Sequence, residues 1–180
     1  MEKLIPLLIV IFSLLSCQKQ QFDLTDFEVH ENSKNNSKQL NLALQSIKKI
    51  CRNGQEIYIS LPKGTYHFYE KGTFLCEYYI SNHDQDNPKR VVFNFDEWEN
   101  LVFDGNGSKF IFHGRLLPFT LKNSKNCKLK NFSIDFENPH IAQVKIVENQ
   151  TEKGIVFRTE DLVNARISSD NTFEVYDEAW

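Results

Sequence analysis

Two stretches of this sequence superimpose at a fixed offset of 26 residues, Val91–Phe103 on Leu117–Leu129. Phe93 falls on Phe119, Phe95 on Leu121, Asn100 on Asn126, Leu101 on Cys127 and Phe103 on Leu129. Two residues shorter, Phe110 and Phe112 fall on Ile134 and Phe136. Each copy holds short alternating strands joined by polar corners, such as Asp104-Gly105-Asn106-Gly107 and Lys122-Asn123-Ser124-Lys125-Asn126. A period of this length means stacked units, because no single copy can bury its own inward Phe and Leu side chains. Parallel stacking sets equivalent residues about 4.8 Å apart, so the corner asparagines become candidates for side-chain ladders. The chain carries 15 Phe and 17 Asn in 180 residues. The stack assigns the Phe to the core and some of the Asn to corners, although compositional drift would also raise the Asn count. Leucine-rich repeats share this range of periods but need a Leu/Asn spacing that is absent. The expected fold is all-β, a right-handed parallel β-helix.

The period differs upstream. Leu40, Ala43, Leu44, Ile47, Ile50 and Cys51 recur at helical spacing on one face, predicting an amphipathic helix over 37–52. Asn36, with Gln39 three residues on, reads as its N-terminal cap, and Asn53-Gly54 as its stop. An open solenoid end exposes strand edges and apolar side chains, so this helix is expected to cap it. Ile57–Leu61 and Tyr66-His67-Phe68 then alternate around a turn at Pro62-Lys63-Gly64. The expected divisions are an extended linker with a first strand over 17–36, then helix cap and first rungs over 37–138. From Pro139 the rung pattern stops. Residues 143–148 and 155–158 read as an antiparallel hairpin and Thr172–Val175 as a further strand, so 139–180 begins a different β-subdomain.

The first residues read as a targeting segment. Met1-Glu2-Lys3 precedes an apolar run from Leu4 to Leu15, too short for the roughly 20 residues that span a bilayer. Leu14-Leu15-Ser16-Cys17 resembles a bacterial lipobox, which makes 1–16 a signal peptide and Cys17 the lipid anchor. An ordinary secretory signal cut nearby is the alternative. Either way the chain is exported, and the lipobox places it on the cell envelope, in the periplasm or at the surface. Beyond Cys17, the odd number of cysteines (Cys51, Cys76 and Cys127) with no C-x-x-C spacing indicates neither zinc nor a disulfide framework. With 21 Lys+Arg against 24 Asp+Glu the net charge is −3, which gives no electrostatic case for nucleic acid.

Three polar clusters are able to carry chemistry. Ser81–Arg90 holds His83, Asp84 and Asp86, a set suited to a metal, to acid/base work or to sugar hydroxyls, and equally to building turns. Its spacing matches no metal motif. Asp135 and Glu137 share a strand face by alternation, and paired carboxylates are what glycoside hydrolysis requires. His113-Gly114-Arg115 is the third cluster, with Arg115 able to bind hydroxyls or carboxylates.

The strings EYYISNHDQDNPK (77–89), FIFHGR (110–115) and LKNFSIDFENPHIAQVKIVEN (129–149) occur in one order that resembles the α-1,3-galactosidases of glycoside hydrolase family 110. The resemblance runs from about Phe27 to Trp180. It implies a right-handed parallel β-helix interrupted by a small β-barrel insertion, which 139–180 would begin. It also implies exo-acting, inverting removal of terminal α-1,3-linked galactose from galactose-terminated, blood-group-B-type glycans, without metal or organic cofactor. The family's catalytic aspartates, including an adjacent Asp-Asp pair, lie in later rungs that this chain does not reach. Asp177-Glu178 is adjacent and acidic but lacks that context. The resemblance therefore places no catalytic residue here; His83, Asp84, Asp86, Arg115, Asp135 and Glu137 stand as substrate-binding candidates. Two other classes remain open: a non-catalytic carbohydrate-binding surface lipoprotein, and a β-helix polysaccharide lyase needing clustered acids for calcium.

Overall fold

The computed structural model describes residues 19–51, 54–79, 87–138, 144–150, 154–159, 165–167, 169–170 and 173–175. The chain opens with β1 (Gln20–Asp23), a 3₁₀ turn (Leu24–Phe27) and helix α1 (Ser37–Ile50). There follow β2 (Ile57–Ser60), β3 (Thr65–Tyr69), β4 (Phe74–Cys76), β5 (Lys89–Asp96), β6 (Leu101–His113), β7 (Leu117–Lys122) and β8 (Lys128–Phe136). One sheet runs β1-β2-β6-β3 with β8 also on β6, and every pairing in it is parallel. The other runs β4-β5-β7, with β5 and β7 parallel and β4 antiparallel to β5. The chain thus passes through three stacked layers: β2 with β3, β5 with β6, and β7 with β8.

The registers are those expected from the 26-residue offset. Phe93 pairs with Phe119 and Phe95 with Leu121. Phe103 pairs with Leu129, then Phe110 with Ile134 and Phe112 with Phe136. The two-residue slip falls between Asp104 and Ser108, where β6 bulges. There Gly105 lies against β8, and a Cβ at that position would sit 2.6 Å from the Phe132 Cβ. The corners repeat as well: left-handed φ angles recur at Glu97 and Asn123 (57° and 50°) and at Asn100 and Asn126 (55° and 53°). Asparagine tolerates this region better than most residues, since its short amide bonds locally. The expected ladder is present, Asn126 Nδ2 donating to Asn100 Oδ1 at 2.7 Å.

The first layer was not legible as a copy. Ile57 pairs with Leu101 and Tyr66 with Phe110, an offset of 44. The connection through β4 and the polar loop lengthens this turn, so its strands match no 26-residue frame.

Inward side chains meet between the sheets. Phe68, Phe93, Phe95, Phe103, Phe110 and Phe112 are fully buried. Phe93 stacks on Phe119 with ring centres 4.4 Å apart, and Phe119 on Phe132 at 5.0 Å. Such pairs add about 0.5–1.5 kcal/mol each beyond the area they bury. Leu40, Ala43, Leu44 and Ile47 of α1 enter the same core as Ile59, Phe68 and Val92.

The end of the helix departs from expectation. Ile50 is exposed, and Cys51 lies just past the helix, its N–H bonded to the Ile47 carbonyl. Asn36 makes no side-chain cap. It is wholly buried and clamps the preceding loop, accepting from the His30 N–H and donating to the His30 carbonyl, both at 2.9 Å. Asn35 accepts from the Ser37 N–H instead. A buried carboxamide must satisfy its own groups, and here the loop offered partners on both sides. Cys51, Cys76 and Cys127 are free and half-buried, and burial pushes the Cys51 thiol up to about 11.

Beyond 138 the expected hairpin is present as β9 (Val144–Gln150) against β10 (Gly154–Thr159). A shorter antiparallel pair joins β11 (Ala165–Ile167) and β12 (Phe173–Val175). The described residues form no closed barrel.

Candidate functional site

Alternation turns Tyr66, Phe68, Phe110 and Phe112 inward, which leaves His67, Tyr69, Lys109, Ile111, His113 and Asp135 on the outer face of β3, β6 and β8. His67 Nδ1 and His113 Nε2 approach to 2.9 Å. The Tyr69 ring stacks on His113 with centres 4.0 Å apart and planes 2° from parallel. Just beyond, Glu70 Oε1 accepts the Arg115 N–H at 2.8 Å, and its Oε2 lies 3.4 Å from Arg90 Nε. Gly114 (φ 85°) carries the turn, and a Cβ there would come within 2.7 Å of Glu70 Oε1. The result is an aromatic-and-charged patch drawn from two layers and the connection between them.

Sequence candidates distribute unevenly over this patch. Arg115 is exposed beside Glu70, tied there through its backbone. Asp135 pairs with Lys109 at 2.9 Å, and that hydrogen bond holds its carboxyl below the usual carboxylate range. Glu137 is exposed just past β8, its N–H bonded to the Phe112 carbonyl at 3.0 Å. His83, Asp84, Asp86 and Cys17 lie outside the described residues.

The polar loop carrying those acids is rooted on a second face. Tyr78 and Thr120 hydroxyls both donate to Asn94 Oδ1, at 2.7 and 2.8 Å. Lys122 sits 3.4 Å from Asp96 and 5.3 Å from the centre of the Tyr78 ring. Asp96 Oδ1 is buried without a hydrogen-bond partner. Tyr79, next along the chain, is 90% exposed. None of His67, Tyr69, Glu70, Tyr78 or Asn94 stands out in the sequence, because strand alternation alone does not reveal which outward residues a neighbouring layer will meet.

A third cluster is structural. Asp104 accepts from Lys130 Nζ and the Tyr58 hydroxyl at 2.7 Å, from Asn131 Nδ2 at 2.9 Å and from the Asn106 N–H at 3.0 Å. Burial pushes this carboxyl upward, but these four donors outweigh it and hold the group well below its ordinary value. Tyr58, Asp104 and Lys130 come from three successive layers, so one carboxylate joins the whole stack.

Neither of the two displaced carboxylates suits the part of a proton donor. A general acid for glycoside hydrolysis needs a raised pKa, and Asp104 and Asp135 are both displaced downward. Among the described residues no three His, Cys, Asp or Glu side chains group to hold a metal ion. A cavity of about 310 Å³, lined in part by Lys48, Cys51, Glu97 and Trp98, opens where α1 meets the corner after β5. It adjoins none of the described sequence candidates.

Relatives place the chain. It is 51% identical over 174 residues to an alpha-1,3-galactosidase B of Phocaeicola vulgatus, which covers 96% of this chain. The chain belongs to the α-1,3-galactosidase family. An alpha-1,3-galactosidase B of Bacteroides fragilis is 49% identical over 91% of the chain, and an alpha-1,3-galactosidase A of Shewanella woodyi 33% over 79%. The chain spans less than a third of the length of these relatives, 29%, 28% and 23% respectively. No protein-family profile matches it.

Proposed function

We propose that this chain is the N-terminal portion of an exo-acting, inverting α-1,3-galactosidase that removes terminal α-1,3-linked galactose from glycans of the blood-group-B type. The observation that carries the reading is the 51% identity over nearly the whole chain. The three parallel layers support its scaffold as the opening turns of a right-handed β-helix. Inversion needs two carboxyl groups about 6.5–9.5 Å apart with a water between them. Asp104 and Asp135, displaced downward, suit ion pairing, and on this reading the catalytic carboxyls belong to chain beyond these layers. The patch around Tyr69, His113 and Arg115 supplies hydroxyl-binding groups.

Purified residues 17–180 will release no galactose from an α-1,3-galactosyl disaccharide, whereas a longer polypeptide carrying them will release β-galactose, read by NMR of the nascent anomer. Release by 17–180 alone sinks the scaffold assignment; a folded longer chain without turnover sinks the galactosidase. The exposed Tyr69 ring favours one second reading, a sugar-binding module without chemistry, which glycan-array binding without turnover in the longer chain would support. We further propose export with a lipid on Cys17; intact-mass analysis of the mature chain will show the acyl groups, and a bare thiol there removes the anchor.

A further inference from the structure

His67 and His113 are 46 residues apart and form no spacing motif, yet the parallel pairing of β3 with β6 sets them diagonally on one outer face. Their nitrogens meet at 2.9 Å and their ring centres at 5.2 Å. Both rings are half-buried. His113 is held in orientation by the parallel Tyr69 ring. The strongest charges nearby are already matched: Lys109 by Asp135, and Arg90 by Glu70. Arg115 is exposed past the turn, and Glu137, exposed just past β8, follows Phe136, the partner of Phe112, which sets its backbone beside His113. The two imidazoles face one another across the paired strands β3 and β6 in a single hydrogen bond, whose donor depends on the tautomer.

We propose that His67 Nδ1 and His113 Nε2 form a two-nitrogen site for a late first-row divalent cation, copper(II) above nickel(II) and zinc(II). Imidazole is the shared preference of these ions, and copper(II) heads their affinity order. With metal–nitrogen bonds of about 2.0 Å, a tetragonal ion places cis nitrogens about 2.8 Å apart, close to the separation present here. A tetrahedral zinc ion asks for about 3.3 Å, so the pair must part slightly to accept it. Both rings must turn to aim their lone pairs at one point, about torsions that are broad for histidine, and the Tyr69 ring stacked on His113 turns with it. The ring that donates the hydrogen bond changes tautomer, carrying its proton on the opposite nitrogen, so both facing nitrogens present lone pairs. Water fills the remaining positions. The site is independent of the galactosidase reading and stands or falls without it.

The test is calorimetric titration of the tag-free chain with copper(II), nickel(II), zinc(II) and, as a control, magnesium chloride, followed by electron paramagnetic resonance of the copper form. We expect one saturable site, tightest for copper and absent for magnesium, with two equatorial nitrogen couplings. His67→Gln and His113→Gln should each weaken copper by about tenfold or more, since even outer-shell partners of a metal ligand carry that much. The triple variant His30→Gln, His83→Gln, His140→Gln should keep it. Tyr69 is a positioning residue: Tyr69→Ala should weaken binding while Tyr69→Phe restores it. Absence of a saturable copper site in the folded parent, a spectrum without two nitrogens, or unchanged affinity in both single variants overturns the proposal.

Discussion

The second and third layers carry the same pattern and have different fates. Phe95 and Phe110 in the second layer are wholly buried, whereas their stacking partners Leu121 and Ile134 in the third are 51% and 52% exposed. All four are apolar and all four point inward. What separates them is a neighbour: Phe110 lies between β3 and β8, and β5 meets α1 as well as β7, whereas among the described residues the third layer has strands on one side only. In a stack, burial belongs to the interface between layers and is not a property of any single layer. The edges of β7 and β8 show the same asymmetry, with pairing to β5 and β6 on one side only among the described residues.

That contrast is open to direct attack. The largest effect is expected from Phe110→Ala, about 3–5 kcal/mol of unfolding free energy, as befits an aromatic lost from a filled core. Ile134→Ala should cost under about 1.5 kcal/mol, since half its surface already meets water. Denaturant melts of the two variants measure the difference. If Ile134→Ala costs as much as Phe110→Ala, the third layer is covered in solution and the contrast fails.

Asp104 sharpens the comparison from the other side, because it joins all three layers whatever their burial. Asp104→Asn should lose about 2 kcal/mol by weakening charge-assisted hydrogen bonds from Lys130 and its companions. The acid limb should change too. A carboxyl held below its ordinary value of about 3.9 stabilises fully above that pH and loses its contribution as pH falls through the folded value. The parent should therefore weaken more steeply than the variant below about pH 4. Equal slopes in acid denaturation would show that Asp104 is not held down by its donors.

The smallest effect concerns the corners. Asn126→Ala should cost about 1 kcal/mol, combining the lost ladder bond with a left-handed backbone that alanine resists. Asn126→Gly keeps the backbone and loses only the ladder, so it should recover part of that cost. Equal melting temperatures for Ala and Gly would assign the whole effect to the Asn100–Asn126 bond.

Much of the stack was legible because parallel pairing sets like on like, so Phe93 on Phe119 and Asn100 on Asn126 read as a repeat in the sequence alone. The hairpin after 143 was legible for the complementary reason, that its two runs are local and joined by a short turn. The first layer was not, since an offset of 44 hides Ile57 over Leu101. Nor was the role of Asn36: its position suits a cap, but its amide found better partners on His30. Of the candidate site, Arg115 and Asp135 were visible as unusual polar residues; His67, Tyr69 and Glu70 were not, because ordinary strand residues acquire a role only from what is set beside them.

The sequence by itself determined the inward and outward alternation, the second-to-third-layer register and the resemblance to the α-1,3-galactosidases, all of which are written along one strand or repeated in the next. Tertiary structure alone decided which inward residues reach full burial, which carboxylate bridges three layers, and that His67 meets His113. Those outcomes depend on distances between segments up to 46 residues apart in the chain. Only closure of the stack brings such segments to a few ångströms.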